Sequence, residues 1–587
     1  MATPLERIRA ALAERELDAW IIFSQDPHLC EYPPAHWFSR GWASGFHGSA
    51  GTLVVTAERA ALFTDSRYWV MAERVLEGTG IELVGIGAAD APTTAEWLAM
   101  VLPEDAKVGF DVQYLSFNHA VRLIDEIEEE GLVFQSERDI IDELWTGDRP
   151  AKPATTIRDL ATSSPGRPAK LLSTAHAIEA LELDAFVFTA LDDIAWFTNC
   201  RASDIEFCPL FIADLIVEGD RATLFVDAAR LEDGLLEKLG RDGIRVEPPS
   251  AFLPALDRMT AEGLRMGYDP DRTNARVVTH LNARAKPSLS PITYAKAHKS
   301  EGEVENIRKA MFEDGCALVE FYAALDTMLE EGKHPTELEL ARLLHEERAR
   351  RRGFLDLSFG SIVAFGPHAA EPHYAPSEST DTALTQGLLL IDSGAQFETG
   401  TTDITRMTAV GELTEKERRD TTVVLKGHIA LARARVRIGS PGADLDAICR
   451  APLHAAGLDF GHGTGHGVGF VSNVHEGPFH ISPRSTSEGL LGIQPGQLVS
   501  NEPGYYEAGS HGVRIENLIL AHAEGPMIRF ETMTLCPIDP RTIDPSLLDE
   551  TEKAWLNGYN DSVRKALSGS VGKRARRWLE KVCAPVA

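Results

Sequence analysis

The 587-residue chain carries 58 lysines and arginines against 88 aspartates and glutamates, which gives a formal charge of −30. So acidic a protein repels a phosphate backbone, and the composition therefore argues against nucleic acid as a partner and favours a soluble protein. At about 100–200 residues per domain, the length suggests three to five domains.

The seven cysteines are scattered and form no CxxC pair, so neither a disulfide framework nor a thiolate zinc site is indicated. The N-terminal segment is charged and lacks a continuous apolar core. No segment reaches the ~18 uncharged apolar residues that a membrane-spanning helix requires. We therefore expect a cytoplasmic protein without a membrane partner.

The first predicted element is a helix at the N-terminus. Thr3 suits its N-cap, Pro4 its first helical position, and Glu6 the acidic position of a capping box. Residues 17–24 then read as a buried strand, and residues 59–69 as a second strand that leads into a helix. This order is typical of an α/β domain.

The same pattern returns later in the chain. LDAFVFTA from Leu183 and RATLFVDAARL from Arg221 repeat LDAWIIFS and RAALFTDSRYW in order and spacing. We interpret the repeat as an internal duplication, with chance similarity as the alternative. Residues 146–170, rich in proline and small polar residues, suit a linker. The predicted domains are residues 1–152 and 153–298.

A third domain is predicted over residues 299–587. Ser300 and Glu303 make a capping box for a helix, after a polar, proline-bearing segment typical of a domain boundary. The predicted apolar face of this helix contains Val304, Ile307, Met311, Leu318, Phe321 and Leu325. Nearly all chemically suggestive residues lie in this third segment.

The segment LLLIDSGAQFETGTTDITR predicts a hairpin with two aspartates. Residues 388–391 read as one strand and residues 402–405 as its neighbour, with Gly400 at the turn. Asp392 and Asp403 would then face one spot. Two close carboxylates raise each other's pKa, and a divalent cation is the usual remedy. A solvated hairpin with two unrelated acids is the alternative.

Three histidines follow in glycine-rich sequence. His462 and His466 lie in GHGTGHGVGF, and His475 lies in NVHEGP. A glycine-rich loop can bind phosphate, but this one lacks the following Lys-Ser/Thr, and a phosphate site leaves the first two histidines unexplained. We therefore favour a role for these histidines in the chemistry of the two aspartates.

Two glutamates complete the candidate set. Glu502 follows a short apolar run that reads as a strand ending in a Pro-Gly turn. Glu516 lies in the middle of another predicted strand, where a buried acid requires a partner. Arg514, two residues away and on the same face of that strand, would either be this partner or orient a ligand.

Together these residues make a predicted metal site of four carboxylates and one imidazole: Asp392, Asp403, His466, Glu502 and Glu516. Their charge nearly balances two divalent cations, and oxygen-rich ligation with one nitrogen suits Mn²⁺, with Co²⁺ or Zn²⁺ as alternatives. Two such ions can share a water, lower its pKa toward ~7 and polarise a carbonyl. The arrangement is typical of a hydrolase.

The motifs DSGAQ, TTDITR, HGTGHGVG, HEGP, NEPGYYE and VRIEN closely resemble the catalytic domain of the aminopeptidase P family, the Xaa-Pro aminopeptidases. The resemblance covers nearly the whole chain. It implies an α/β (α+β) fold class, with two duplicated creatinase-like N-terminal domains followed by a pita-bread catalytic domain. It further implies release of an N-terminal residue that precedes proline, with a hydroxide that bridges two manganese ions as nucleophile.

The resemblance also implies a role for each site residue. The ligands fall on Asp392, Asp403, His466, Glu502 and Glu516, and Asp403 and Glu516 bridge both ions. The substrate-binding and proton-transfer residues fall on His373, His462 and His475, with Arg514 also in the catalytic set. Glu502 would carry the proton from the water to the prolyl nitrogen. A homodimer is implied as well.

Two rival functions stay open. Prolidase resembles the same family and uses similar ligands but cleaves only dipeptides; the extra duplicated domain favours aminopeptidase P. A non-catalytic binding protein could keep the fold for recognition. The complete set of five ligands argues against that second rival.

Overall fold

The structure is a computed structural model that describes residues 2–88, 90–487 and 489–587, with the side chain of Leu490 left out. The chain divides into two compact units. One contains Met1–Leu160 and Gly166–Ile292, and the other contains Ala161–Pro165 and Thr293–Ala587. The predicted division into three domains stays a prediction.

The first unit contains two mixed sheets. The strands of the first sheet are, in chain order, Ala19–Ile22, Thr52–Thr56, Ala60–Asp65, Glu82–Ile86, Lys107–Phe110 and Val133–Ser136. They lie side by side in the order fourth, third, second, first, fifth, sixth. The helices around them are Pro4–Glu14, Ser39–Ser44, Trp69–Leu76, Thr94–Val101, Phe117–Glu129 and Ile141–Leu144. The capping box predicted at Thr3 is present.

The second sheet repeats the first. Its strands are Ala185–Phe188, Asp214–Glu218, Arg221–Phe225, Ile244–Glu247, Met266–Tyr268 and Lys286–Pro287, and they follow the same spatial order. In both sheets the second strand pairs antiparallel with its two neighbours, and the other pairs are parallel. This agreement in topology is what an internal duplication predicts.

The helices of the second copy are Arg167–Ala180, Leu191–Thr198, Leu235–Arg241, Phe252–Ala261 and Ala275–Val278, and a small strand pair joins Arg158–Asp159 to Cys200–Arg201. The first of these helices begins inside the predicted linker of residues 146–170. Pro168 near its start explains the difference, because proline fits the first turn of a helix as well as it fits a linker.

The second unit combines long helices with curved antiparallel sheets. Its helices are Glu301–Glu330, Glu337–Ala349, Glu415–Ala432, Gly442–Ala455, Glu550–Leu567 and Lys573–Val582, and Pro291–Ala297 lies where the two units are divided. The capping box predicted at Ser300 is present. In the described part of the chain, no helix has both the length and the apolar character needed to cross a membrane.

The strands of this unit form the sheets around the candidate site. One sheet contains Ile362–Phe365, Gly387–Ser393 and Ile404–Val410; a smaller one contains Phe354–Leu357, Ala395–Phe397 and Gly400–Thr401. The largest runs through Arg435–Arg437, Met527–Thr532, Asn517–Glu524, Leu498–Asn501, Gly465–Gly467 and Glu476–Ile481. A hairpin joins Gly504–Glu507 to His511–Arg514.

The aspartate hairpin forms as predicted, with one correction. Gly387–Ser393 pairs antiparallel with Ile404–Val410, and Asp392 lies opposite Thr405. Gly400 is not the turn residue, because it pairs with Phe397 in a second short hairpin that interrupts the connection. The predicted site thus lies where the main strand pair ends.

Apolar packing holds this strand pair in place. Leu389 and Ile391 of the strand are buried in one cluster with Leu318, Phe321 and Leu325 from the predicted apolar face of the first long helix. At about 25 cal/mol per Å² of buried apolar surface, side chains of this size stabilise the fold by about 1.5–3 kcal/mol each. The backbone that carries Asp392 is therefore rigidly supported.

Candidate metal centre

All five predicted ligands lie at or next to strand ends of the second unit. Asp392 lies within Gly387–Ser393, Asp403 directly before Ile404–Val410, His466 within Gly465–Gly467, Glu502 directly after Leu498–Asn501, and Glu516 directly before Asn517–Glu524. These strands belong to two sheets of the unit. Residues separated by more than one hundred positions in the sequence thereby face one region.

His466 lies between two of the carboxylates. Its Nε2 is 3.5 Å from Asp403 Oδ2 and 3.4 Å from Glu502 Oε1. Its Nδ1 lies 2.9 Å from the carbonyl oxygen of Gly467, which can only accept, so Nδ1 carries a proton and Nε2 is the ring nitrogen directed at the two carboxylates. One imidazole nitrogen beside two carboxylates is a ligand combination that suits a divalent cation.

Two buried carboxylate oxygens of the site, Asp392 Oδ1 and Glu516 Oε1, have no hydrogen-bond partner among the described residues. The second oxygen of each is satisfied: Asp392 Oδ2 accepts from Arg514 at 2.5 and 3.1 Å, and Glu516 Oε2 accepts from Thr405 Oγ1 at 2.8 Å. An orphaned buried oxygen costs free energy, whereas a divalent cation would satisfy it. The donor set therefore fits a metal.

Burial raises the pKa of Asp392 to about 6, although Arg514 opposes the shift. Burial, with the added repulsion of Asp403, Glu502 and Asp392, raises the pKa of Glu516 well above its ordinary value. Both shifts arise because negative charge accumulates in a site of low polarity. A bound divalent cation would reverse them and keep the carboxyl groups ionised.

The sequence predicts that Glu516 lies in the middle of a strand, but in the structure it does not. Ile515 and Glu516 link the strands His511–Arg514 and Asn517–Glu524. Since Arg514 and Glu516 do not share a strand, strand alternation does not put them on one face. Of the two roles that the sequence leaves open for Arg514, that of partner of Glu516 is wrong, because Thr405 is that partner. Arg514 pairs instead with Asp392, a predicted ligand, so the other role stays a prediction.

Tyr506 is a site residue to which the sequence analysis gives no role. Its hydroxyl accepts from Arg514 Nη1 at 2.7 Å and lies 2.8 Å from His462 Nε2. In the hairpin, Gly504 pairs with Arg514, which puts Tyr506 diagonally beside that arginine. The pairing register of the hairpin therefore decides that Tyr506, and not Tyr505, lies beside Arg514.

The protonation states of this chain of contacts are well defined. Burial raises the pKa of Tyr506 to about 12 and lowers the pKa of His462 to about 4, so the hydroxyl is protonated and the imidazole neutral at pH 7. His462 Nδ1 donates to the Gly463 carbonyl at 2.7 Å, and its Nε2 therefore accepts from Tyr506. A continuous hydrogen-bonded chain connects Asp392, Arg514, Tyr506 and His462.

The other two predicted histidines lie in different surroundings. The His475 ring lies 4.4 Å from the His466 ring, nearly perpendicular to it. The next residue, Glu476, is buried in ion pairs with Lys296 and Lys299, which fix the backbone at His475. His373 is half-buried in a loop, next to Tyr374, whose hydroxyl donates to Glu337 at 2.8 Å. A role for His373 at the metal ligands stays a prediction.

A second group of similar composition lies at the far end of the hairpin. Potential ligand atoms of Asp420, Glu507 and His511 lie within 4.8 Å of one another. Here a cation is already present, because the Lys416 ammonium lies 3.0 Å from Asp420 and also contacts Glu507. This group is therefore an ion-pair network that fastens the hairpin to the helix Glu415–Ala432.

Family comparisons cover nearly all of the chain. Residues 4–144 and 148–303 each match the Creatinase/Prolidase N-terminal domain, residues 305–523 match metallopeptidase family M24, and residues 526–586 match the C-terminal region of peptidase M24. Two separate matches to one N-terminal domain agree with the repeated sheet topology. The predicted fold class is confirmed.

Individual relatives span the full length. Aminopeptidase P2 of Arabidopsis thaliana is 37% identical over 97% of this chain and 86% of its own length. A probable Xaa-Pro aminopeptidase P of Tuber melanosporum is 35% identical over 99% and 98%. The X-prolyl aminopeptidase of Caenorhabditis elegans, described as a cytosolic enzyme with a di-nuclear active site, covers 100% of both chains at 32% identity and a TM-score of 0.93.

Proposed function

Because the chain belongs to the aminopeptidase P family of M24 metallopeptidases, we propose that it removes the N-terminal residue from peptides whose second residue is proline. The observation that carries the proposal is the convergence of Asp403, His466 and Glu516, with the unsatisfied Glu516 oxygen among them. A site built of close carboxylates and an imidazole is suited to metal-assisted hydrolysis.

The proposed cofactor is a pair of divalent cations, with Mn²⁺ favoured over Zn²⁺ or Co²⁺ by the oxygen-rich ligands. Asp392, Asp403, His466, Glu502 and Glu516 would bind them. The relative of known structure with a di-nuclear active site supports the number of ions. The unpartnered oxygens of Asp392 and Glu516 support the choice of ligands.

When bound, two such ions supply a hydroxide nucleophile at neutral pH and polarise the carbonyl that precedes proline. Glu502 is placed to manage the proton of this reaction, since its side chain is 18% exposed and its Oε1 accepts from Ser500 Oγ at 3.1 Å. We assign it the transfer of that proton to the prolyl nitrogen. The nitrogen of a tertiary Xaa-Pro amide carries no hydrogen and leaves only when protonated.

The histidines are assigned to substrate binding and to the developing oxyanion. His475 packs against His466 and is fixed by the buried ion pairs of Glu476. His462, held neutral and with its tautomer set by Gly463, could accept from a substrate N–H in place of the Tyr506 hydroxyl and is assigned to substrate binding alone. His373 is assigned to the same task by family resemblance. Hydrogen-bond donors directed at an oxyanion contribute strongly to hydrolysis.

Replacing Tyr506 with phenylalanine tests the chain of contacts behind Asp392. Loss of the hydroxyl leaves one Arg514 N–H and His462 Nε2 without their partner. Removal of a residue that orients ligands lowers metal affinity or activity by about 10–100-fold. We expect a loss of kcat in this range, measured at saturating Mn²⁺ with a Xaa-Pro tripeptide.

Tyr505→Phe is the matched control for Tyr506→Phe, because Tyr505 lies on the same hairpin and contacts the His511 ring and Lys416. It should keep kcat within about twofold of wild type, as expected for a change outside the reacting groups. Equal losses in the two variants would assign the effect to the hairpin as a whole and contradict the role given to Tyr506.

The rival function is that of a strict dipeptidase, since the Xaa-Pro dipeptidase of Bacillus anthracis shares the fold, with a TM-score of 0.51 over 64% of this chain. Arg-Pro-Pro and Arg-Pro distinguish the two functions. The proposed enzyme releases arginine from the tripeptide, whereas a strict dipeptidase cleaves only Arg-Pro. Arg-Ala-Pro serves as the control for proline at the second position. Failure to cleave any of the three would favour the non-catalytic alternative.

The remaining proposals rest on the relatives. We propose a cytoplasmic location because the C. elegans enzyme is described as cytosolic. Peptides are the proposed partners, and the charge of −30 argues against nucleic acid. A homodimer stays a prediction, which sedimentation or light scattering of the purified protein would test.

A further inference from the structure

We propose that Tyr559 is a positioning residue for the metal ligands, so that the C-terminal region of the chain helps to build the catalytic centre. Tyr559 lies in the helix Glu550–Leu567, within the residues that match the C-terminal region of peptidase M24. The inference rests on the proposed function, because it concerns the same metal site. Nothing in the family match assigns this helix a role.

The Tyr559 hydroxyl lies at the centre of a buried polar cluster. It accepts from Arg406 Nη2 at 2.8 Å. Three oxygens lie within reach of its single proton: the carbonyls of Cys536 and Thr534 at 2.8 and 3.0 Å, and Asn517 Oδ1 at 3.2 Å. The side chain is thus held on both its donor and its acceptor side. A phenyl ring in its place would fit but would satisfy none of these groups.

Arg406 carries this contact to the strands of the ligands. Its Nη1 donates to the carbonyl of Glu516 at 2.6 Å and to that of Thr405 at 3.0 Å. Glu516 is a proposed ligand, and Thr405 donates to the Glu516 carboxylate and lies two residues after Asp403. One guanidinium therefore holds the backbone at Glu516 and at Thr405, two residues after Asp403.

A second branch leads to Glu502. Asn517 Oδ1 accepts from Arg406 at 2.7 Å, and its amide nitrogen lies 3.0 Å from His428 Nε2. His428 Nδ1 lies 3.1 Å from the carbonyl of Asn501, the residue directly before Glu502. Because a carbonyl only accepts, Nδ1 carries the proton and Nε2 accepts from Asn517. The cluster thus lies behind three of the five proposed ligands.

The Arg406 guanidinium is held by uncharged groups. Among the described residues, the groups that accept hydrogen bonds from Arg406 are carbonyl, amide and hydroxyl oxygens, all of them neutral. Its charge is therefore not cancelled by a carboxylate in direct contact. The planar guanidinium has five N–H donors that point in fixed directions, so its position depends on acceptors placed along them. Tyr559 is one of these acceptors and therefore helps to keep the guanidinium in place.

Tyr559→Phe tests the inference, with Mn²⁺ titrated into the metal-free full-length protein and followed by calorimetry and by the Mn²⁺ EPR signal. Partners of metal ligands contribute about 10–100-fold to metal affinity. We expect the affinity of at least one Mn²⁺ ion to fall by about tenfold. With Arg-Pro-Pro as substrate, kcat should fall at limiting Mn²⁺ and recover at saturating Mn²⁺, while KM stays unchanged.

Trp555→Phe is the matched control. Trp555 lies one turn earlier on the same helix and stacks on Tyr559 with ring centroids 5.4 Å apart, so this variant loosens packing but keeps the hydroxyl. It should lower the Tm of the metal-free protein without changing Mn²⁺ affinity. If both variants lose Mn²⁺ affinity in proportion to their loss of stability, Tyr559 supports only the fold and the inference is overturned.

The same titration separates this inference from the proposed function. Two Mn²⁺ ions bound to wild type and weaker binding to Tyr559→Phe support both. Two ions bound to wild type and equal affinity in Tyr559→Phe overturn the positioning role alone. A wild-type protein that binds no divalent cation overturns the proposed function and this inference with it.

Discussion

Replacing Asp403 with asparagine is expected to lower kcat/KM for Arg-Pro-Pro by at least about 10³-fold, beyond the 10–100-fold that outer partners of a ligand contribute. Asp403 is 4% exposed, and its Oδ2 lies 3.5 Å from His466 Nε2. Asparagine keeps the shape but removes a charge that binds the proposed ions. The fold should change little, because the substitution relieves repulsion among four carboxylates. Steady-state kinetics and Tm measure the two effects.

Asp420→Asn is the matched control for Asp403→Asn. Asp420 is also a buried aspartate beside a histidine and a glutamate, but Lys416 already supplies its positive charge. This variant should lose some stability and keep its metal content. An unchanged rate in Asp403→Asn would contradict the metal centre, as would equal loss of metal in both variants.

Glu516→Gln is expected to abolish turnover and yet make the metal-free protein more stable at pH 7.5. The folded state raises the pKa of Glu516 well above its ordinary value of 4.5, chiefly through burial. Tighter proton binding by Glu516 in the folded state therefore stabilises the protein fully below pH 4.5. This stabilisation is lost as the pH rises toward the raised pKa of the folded state. Glutamine cannot ionise and avoids this loss, while its oxygen can still accept from Thr405.

The stabilisation by Glu516→Gln should shrink as pH falls toward 4.5. Each pH unit between the two pKa values corresponds to about 1.4 kcal/mol, and a Tm gain of several degrees follows at about 2–4 °C per kcal/mol. Mn²⁺ should raise the Tm of wild type more than that of the variant. Glu507→Gln, which breaks the pair with Lys416, is the control and should gain no stability. A lower Tm of Glu516→Gln at every pH would contradict the account.

Local patterns in the sequence predicted much of the fold. The capping boxes at Thr3 and Ser300 depend on residues three positions apart, and both form. The repeated strand motifs predicted two copies of one sheet, and the two sheets share their topology. The motif residues Asp403, His466 and Glu516 converge. The capping boxes are short-range signals and the strand motifs are repeated, whereas the convergence of the three motif residues was implied by the resemblance to the aminopeptidase P family.

Contacts that depend on register or on distant residues could not be predicted. The apolar run around Glu516 predicts a mid-strand position because it continues through the link between two strands. The role of Tyr506 depends on the pairing register of its hairpin. Arg406 and Tyr559 are 153 positions apart, and no periodicity relates them. A buried polar network is visible only once tertiary structure brings its members together.

The measurement that tests the metal centre most directly is Mn²⁺ add-back to metal-stripped protein, with bound metal and release of arginine from Arg-Pro-Pro recorded on the same samples. We predict that stripped protein is inactive and folded, that each chain takes up two ions, and that activity returns in step with occupancy. Full activity without metal, or two bound ions with no release of arginine, would contradict the account.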